Sequence, residues 1–170
     1  TQPILSSLWI QLCWLYKHPE ICHGGNHWLE NLTAQIIVSL QFDNKYAEVI
    51  YKNSIKKLKK ELKNQILLDG GHEERSAAYH VLILDRLVEV GWVIQIVKNE
   101  RPTWIIDAIK KMTEWLCFIR IKKGELPLFN DSSKDICPNI DEVKEFAISY
   151  LNNRENKLLG IRRLLSKAKK

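Results

Sequence analysis

Apolar side chains recur at intervals of three and four residues along almost the whole chain and alternate almost nowhere. That period belongs to helices, not strands, so an all-α fold is expected. Leu5, Leu8, Trp9, Leu12, Leu15 and Tyr16 define a first helix, which Pro19 and the Gly24-Gly25 pair bring to an end. Leu29, Leu32, Ile36, Ile37 and Leu40 mark a second, opening near Asn26. It is apolar around much of its circumference, as an inner helix packed on both sides would be. From Lys45 to about Leu67 the pattern turns amphipathic, with Tyr51, Ile55, Leu58, Leu62 and Ile66 on one side and Lys56, Lys57, Lys59, Lys60 and Lys63 largely on the other. This reads as an outer helix whose lysines are solvated and could also attract a polyanion.

A fourth helix is expected from Ala77 to about Val90, with Gly91 as its end and Ser76 as its cap. Pro102 fits the first position of a fifth, through Ile105, Ile109, Met112, Leu116 and Ile119. Asn139 with Glu142 forms an Asn-x-x-Glu variant of the capping box for a sixth. Inner and outer helices joined by short turns suggest an antiparallel array. Periodicity alone leaves an α-solenoid and a compact bundle open as well. The segment from Arg154 to Lys170 is basic and amphipathic, a terminal helix or tail with a solvated face.

With 170 residues, 45% apolar and 27% charged, the chain can bury a real core and is expected to be one domain. No run of eighteen apolar residues appears, which argues against a membrane span. Cys13, Cys22, Cys117 and Cys137 lack the close spacing of a zinc or redox site, so buried free thiols are expected and no metal site. The net charge of +6 favours an anionic partner. Nucleic acid is disfavoured, because arginines and aromatics are not interleaved along one groove. The six tryptophans are spread among the helical runs and are expected to be mostly core.

The densest chemistry lies in Asp69-Gly70-Gly71-His72-Glu73-Glu74-Arg75-Ser76, followed by Ala77-Ala78-Tyr79-His80. A glycine pair permits a sharp turn, and Tyr79 and His80 then fall in the first turn of a new helix. Upstream lies Asn26-His27-Trp28-Leu29-Glu30-Asn31, and downstream Gly124-Glu125-Leu126-Pro127-Leu128-Phe129-Asn130-Asp131-Ser132. Together these three strings resemble the heparinase II/III-like polysaccharide lyases, specifically their N-terminal helical domain. The Asn-His-x-x-x-Asn, Asp-Gly-Gly-His-x-Glu-Arg-Ser-x-x-Tyr-His and Gly-x-Ile-Pro-x-Phe-Asn-Asp-Ser patterns of that family can be followed almost intact, and the resemblance runs from about Leu8 to Leu151.

The resemblance implies part of an incomplete α/α toroid over residues 1–153 and a lyase that cuts uronate-containing acidic polysaccharides by β-elimination, without a cofactor. It assigns Asn26 to the substrate carboxylate, where a neutral donor stabilises developing enolate-like charge, and Tyr79 to proton transfer. A phenol ordinarily titrates near ~10, so a tyrosine base needs a cation beside it; Arg75 could serve, or could bind substrate anions. His27, Trp28, His72, Glu74 and His80 are supporting candidates, with Trp28 as a stacking wall for a sugar ring. Asn130 and Asp131 could close the cleft or brace its walls. Family members continue into a C-terminal β-sandwich that contributes a further catalytic histidine, and this chain contains no strand-rich region to supply one. The resemblance implies a periplasmic or secreted protein, although the opening Thr1-Gln2-Pro3-Ile4 shows no signal-peptide pattern. The glycan and the oligomeric state are not specified. A noncatalytic acidic-glycan-binding module and a basic scaffold for nucleic acid or protein are the alternatives.

Overall fold

The computed structural model of the chain describes residues 2–21, 24–119, 125–133, 136 and 138–154. Among them are six helices, α1 (Gln2–Lys17), α2 (Gly25–Ser39), α3 (Lys45–Gln65), α4 (Ala77–Lys98), α5 (Thr103–Ile119) and α6 (Ile140–Leu151). No strand occurs among the described residues, only an isolated antiparallel bridge between Ile66 and His72. The chain divides into two compact units, Thr1–Lys63 and Asn64–Lys170. The basic segment beyond Arg154 lies outside the described residues, as do Cys22 and Cys137.

In the first unit α1 packs on α2. Gln35 is the polar fastener: its amide donates to the Leu15 carbonyl at 3.3 Å and its oxygen accepts from Ser54 Oγ at 2.7 Å, tying α2 to both neighbours. Leu29, Leu32, Ile36, Ile50 and Leu58 have no exposed surface; each such side chain contributes roughly 1.5–3 kcal/mol of hydrophobic stabilisation. Aromatic edges close the outer side, with Trp9 against Phe42 at 4.9 Å and Tyr16 against Tyr46 at 6.2 Å.

The second unit is built around α4, which packs against α5 and α6, and those two also pack on each other. Buried residues occur on every side of α4, including Val81, Leu84, Leu87, Val88 and Ile94. It does not end at Gly91. The helix runs on to Lys98 and is closed by Asn99 in the left-handed conformation, φ 56°, whose N–H donates to the Gln95 carbonyl. Gly91 instead makes room: a Cβ there would lie 2.6 Å from Tyr150 Cζ of α6. Arg101 donates to the Tyr150 and Leu151 carbonyls, satisfying the end of α6. Asn139 caps the start of α6 through the N–H groups of Asp141 and Glu142, as its sequence pattern implied.

Two expectations about single residues need correcting. The described thiols are free but not buried, since Cys13 is half-buried and Cys117 exposed on the outer side of α5. The tryptophans are less uniformly core than expected, for Trp14 is 61% exposed. Its ring lies along the surface of α1 against His18 at 4.8 Å. No helix among the described residues is long and apolar enough to cross a membrane.

Candidate functional site

The Asn26 segment begins where Gly24, at φ 60°, turns the chain into α2 without a side-chain cap. Asn26 is therefore not the N-cap; it sits inside the first turn and is half-buried. His27 is exposed, its Nδ1 3.5 Å from the Glu20 carboxylate. Trp28 is only 7% exposed, with the Lys57 ammonium 5.6 Å from the centre of its ring. Its faces are occupied by the protein, so it does not offer the stacking wall that its place in the sequence suggested. The second asparagine of the pattern, Asn31, is the local fastener. It accepts from the Glu20 N–H at 3.1 Å and donates to the Glu20 carboxylate at 3.2 Å and the His27 carbonyl at 3.0 Å.

In the second unit the stretch from Gln65 to Ser76 folds back on itself before α4 opens. Leu67 N–H donates to the Gly71 carbonyl at 2.8 Å and Glu73 N–H to the Gln65 carbonyl at 2.8 Å. Asp69 Oδ1 accepts from the Gly71 N–H at 2.9 Å, an Asx turn. Gly70, at φ 91°, and Gly71 are more than a flexible hinge. A Cβ on the first would lie 2.4 Å from the Lys111 carbonyl oxygen, and one on the second 2.8 Å from the Trp115 indole nitrogen. The turn is pressed flat against α5.

His72 and His80 both face inward. His72 is 1% exposed; its Nδ1 accepts from the Glu74 N–H at 3.4 Å, which places the proton on Nε2, 3.1 Å from the Gln65 side-chain oxygen. Burial pushes its pKa down, and nearby Glu74 opposes the shift. His80 has no exposed surface, bonds the Met112 carbonyl through Nε2 at 2.9 Å and lies tilted against the Trp115 ring at 4.3 Å. Burial lowers its pKa to about 4, against the raising influence of the Met112 carbonyl and of Asp69, with His72 adding a smaller push downward. Both histidines are buried and tie the motif to its neighbours, His72 to Gln65 and His80 to α5.

The residues between them that remain at the surface are Glu73 and Arg75, exposed, and Glu74 and Tyr79, half-buried. Arg75 holds a left-handed backbone, φ 52°, a conformation that costs a long side chain about 1 kcal/mol. The distant 125–133 loop holds it there. Asn130 Nδ2 donates to the Arg75 carbonyl at 2.9 Å and the Glu74 carbonyl at 3.3 Å. Ser132 Oγ lies 2.9 Å from Ser76 Oγ and accepts from the Ala78 N–H at 3.2 Å. Ser76 in turn caps α4 by accepting the Tyr79 N–H at 3.3 Å. The loop is thus tied to the start of α4 through Asn130 and Ser132, and Asp131 is exposed.

The site's chemistry is thus sorted by burial. Gly70, Gly71, His72, Ser76 and His80 are buried; Arg75 is exposed and Tyr79 half-buried. Asn31, Gln65 and Trp115 also position the motifs, through Glu20 and His27, His72, and His80 respectively; such pairings leave no periodic signature in a sequence. Asn31 and Ser132 were at least legible as members of their motifs. Among the described residues no group of three or more His, Cys, Asp or Glu side chains could hold a metal ion.

The model of one protein family, described as Heparinase II/III N-terminus, matches residues 13–157. No curated protein and no solved structure matches the chain.

Proposed function

The chain belongs to the heparinase II/III N-terminal family, a polysaccharide lyase-related module, and from that premise we propose that it supplies the helical, substrate-binding part of a lyase acting on uronate-containing acidic glycans by β-elimination. In this reaction a base takes the proton from the carbon beside the sugar carboxylate. The electrons of that C–H bond become the new C=C bond. The C–O bond to the departing sugar breaks, and its oxygen takes up a proton. Tyr79 handles the proton, and the Asn26 amide donates to the carboxylate on which negative charge accumulates. Arg75 binds anionic groups of the substrate. On the same reading the six helices are part of an incomplete α/α toroid.

The observation that carries the proposal is the sorting of residues 69–80. The glycines and histidines of that stretch are consumed by packing, whereas Arg75 stays exposed and Tyr79 partly so, on backbone pinned from a loop far along the chain. Rigid support under a partly exposed tyrosine is what proton transfer needs, because misplacement by an ångström is costly in rate.

The test is a Tyr79→Phe substitution in the natural full-length protein, assayed on a panel of uronate glycans by the ultraviolet absorbance of the unsaturated product. The variant loses most of its turnover and keeps its glycan affinity, since the ring remains and only the transferable proton is gone. Undiminished turnover would remove Tyr79 from the mechanism. Binding by the parent protein with no product from any glycan would make this a noncatalytic module.

A further inference from the structure

α3 has one packed face and one cationic face. Ala47, Ile50, Ser54, Leu58 and Leu62 are buried, whereas Lys45, Lys52, Lys56, Lys59, Lys60 and Lys63 are all exposed. At about 3.6 residues per turn these six lysines fall within roughly 100° of arc, opposite the buried face. Lys52, Lys56, Lys59 and Lys63 follow one another at steps of four, three and four, a row parallel to the axis and about 16 Å long at about 1.5 Å per residue. Glu48, which pairs with Lys52 at 3.5 Å, sits at one flank of the arc, and Glu61 lies on the side of the buried face. A seventh lysine, Lys57, lies outside it, over the rings of Tyr16 and Trp28.

The composition of the row selects its partner. Every cation is a lysine, a compact charge on a flexible stem, without the planar fork that arginine uses to grip one phosphate or carboxylate. The arc holds no aromatic ring on which a nucleobase could stack. Repeated charge without any device for reading shape suits a flexible linear polymer with an anionic group on successive units. We propose that the α3 lysine stripe is an accessory site for acidic glycan, engaging long chains by charge and separate from the residues that carry out the chemistry. The choice of glycan rests on the lyase reading above.

The experiment replaces Lys52, Lys56, Lys59 and Lys63 together by Gln in the full chain. Glutamine has similar helix propensity and the positions are exposed, so the fold is kept, as circular dichroism verifies. Binding of size-fractionated heparin and alginate is then titrated over a salt series. Affinity for long chains falls tenfold or more at low salt, and the slope of log affinity against log salt becomes shallower by about two or more, as when counterion-releasing contacts are lost. Affinity for tetrasaccharides is unchanged, and the matching four Lys→Arg substitutions bind long chains as the parent does. Long-chain binding by the Gln variant with parental affinity and slope would overturn the proposal, as would equal losses for long and short chains. Tighter binding of single-stranded DNA than of heparin at equal salt would assign the stripe to nucleic acid. Stripe-dependent binding in a full-length protein that never forms an unsaturated product sinks the lyase reading alone. Elimination with stripe-independent binding sinks this one alone.

Discussion

The hydroxyl oxygens of Ser76 and Ser132 lie 2.9 Å apart across 56 residues of chain. The cap of α4 is therefore itself held by a loop that follows α5, and the first turn carrying Tyr79 is oriented from two directions. A local capping motif has become part of a long-range brace.

Removing that brace should loosen the site before it unfolds the protein. Ser132→Ala and Asn130→Ala are each expected to lower stability by about 1 kcal/mol, the net worth of the hydrogen bonds lost. Ser76→Ala, which also removes the cap, should cost about 1–2 kcal/mol. Chemical denaturation measures the three. Additive losses in the Ser76→Ala/Ser132→Ala pair would show that the two hydroxyls do not act together.

The glycines separate into two classes by what surrounds them. Gly70→Ala drives a Cβ into the Lys111 carbonyl on a left-handed backbone and should cost more than about 2 kcal/mol. Gly24→Ala meets nothing within 4 Å, so only its backbone conformation, φ 60° and ψ −154°, is penalised, by about 1–3 kcal/mol, without the clash that Gly70→Ala adds. Thermal unfolding of the two variants should rank them in that order, and the reverse order would contradict the packing of the turn on α5.

Acid should weaken the second unit through His80. Its folded pKa is lowered from 6.5 to about 4, so between those values the unfolded chain binds a proton that the folded chain does not. The stability so contributed, of order 3 kcal/mol, is fully present above pH 6.5 and is lost as pH falls towards 4. His72 shifts in the same direction, by burial. Denaturation midpoints between about pH 7.5 and 4.5 should fall less steeply for His80→Gln than for the parent; parallel curves would mean that His80 takes up its proton without unfolding.

Two asparagines of one motif are read out by different measurements. Asn31→Ala removes three hydrogen bonds from a residue that is 7% exposed and should destabilise by about 2–3 kcal/mol. Asn26→Ala is expected to lower turnover of the full-length protein by an order of magnitude or more, through the charge stabilisation proposed for its amide. Equal turnover in the Asn26→Ala protein would take the carboxylate-binding role away from it.

The helices could be read from the sequence because their causes are local. Period, caps and breakers located the helices within a few residues except at the end of α4, and Ser76 and Asn139 cap as their patterns implied. Gly91 misled because the reason for a glycine there is the ring of Tyr150 on another helix, and a single chain segment does not announce what will be pressed against it. The same cause hid the burial of Trp28, His72 and His80. Their residue types suggest a ligand, and only the packing of α3 over Trp28 and of α5 over the histidine motif shows that protein already fills the space.

The tie from Asn130 to the Arg75 carbonyl also sets an order of events during synthesis. The Asp69–His80 stretch leaves the ribosome well before Asn130 and Ser132 do, and a nascent chain folds as it emerges. Until the later loop is out, Arg75 has no partner to hold its left-handed backbone and Ser76 caps α4 unassisted. The left-handed turn at Arg75 therefore gains its support from Asn130 only once the 125–133 loop has been made.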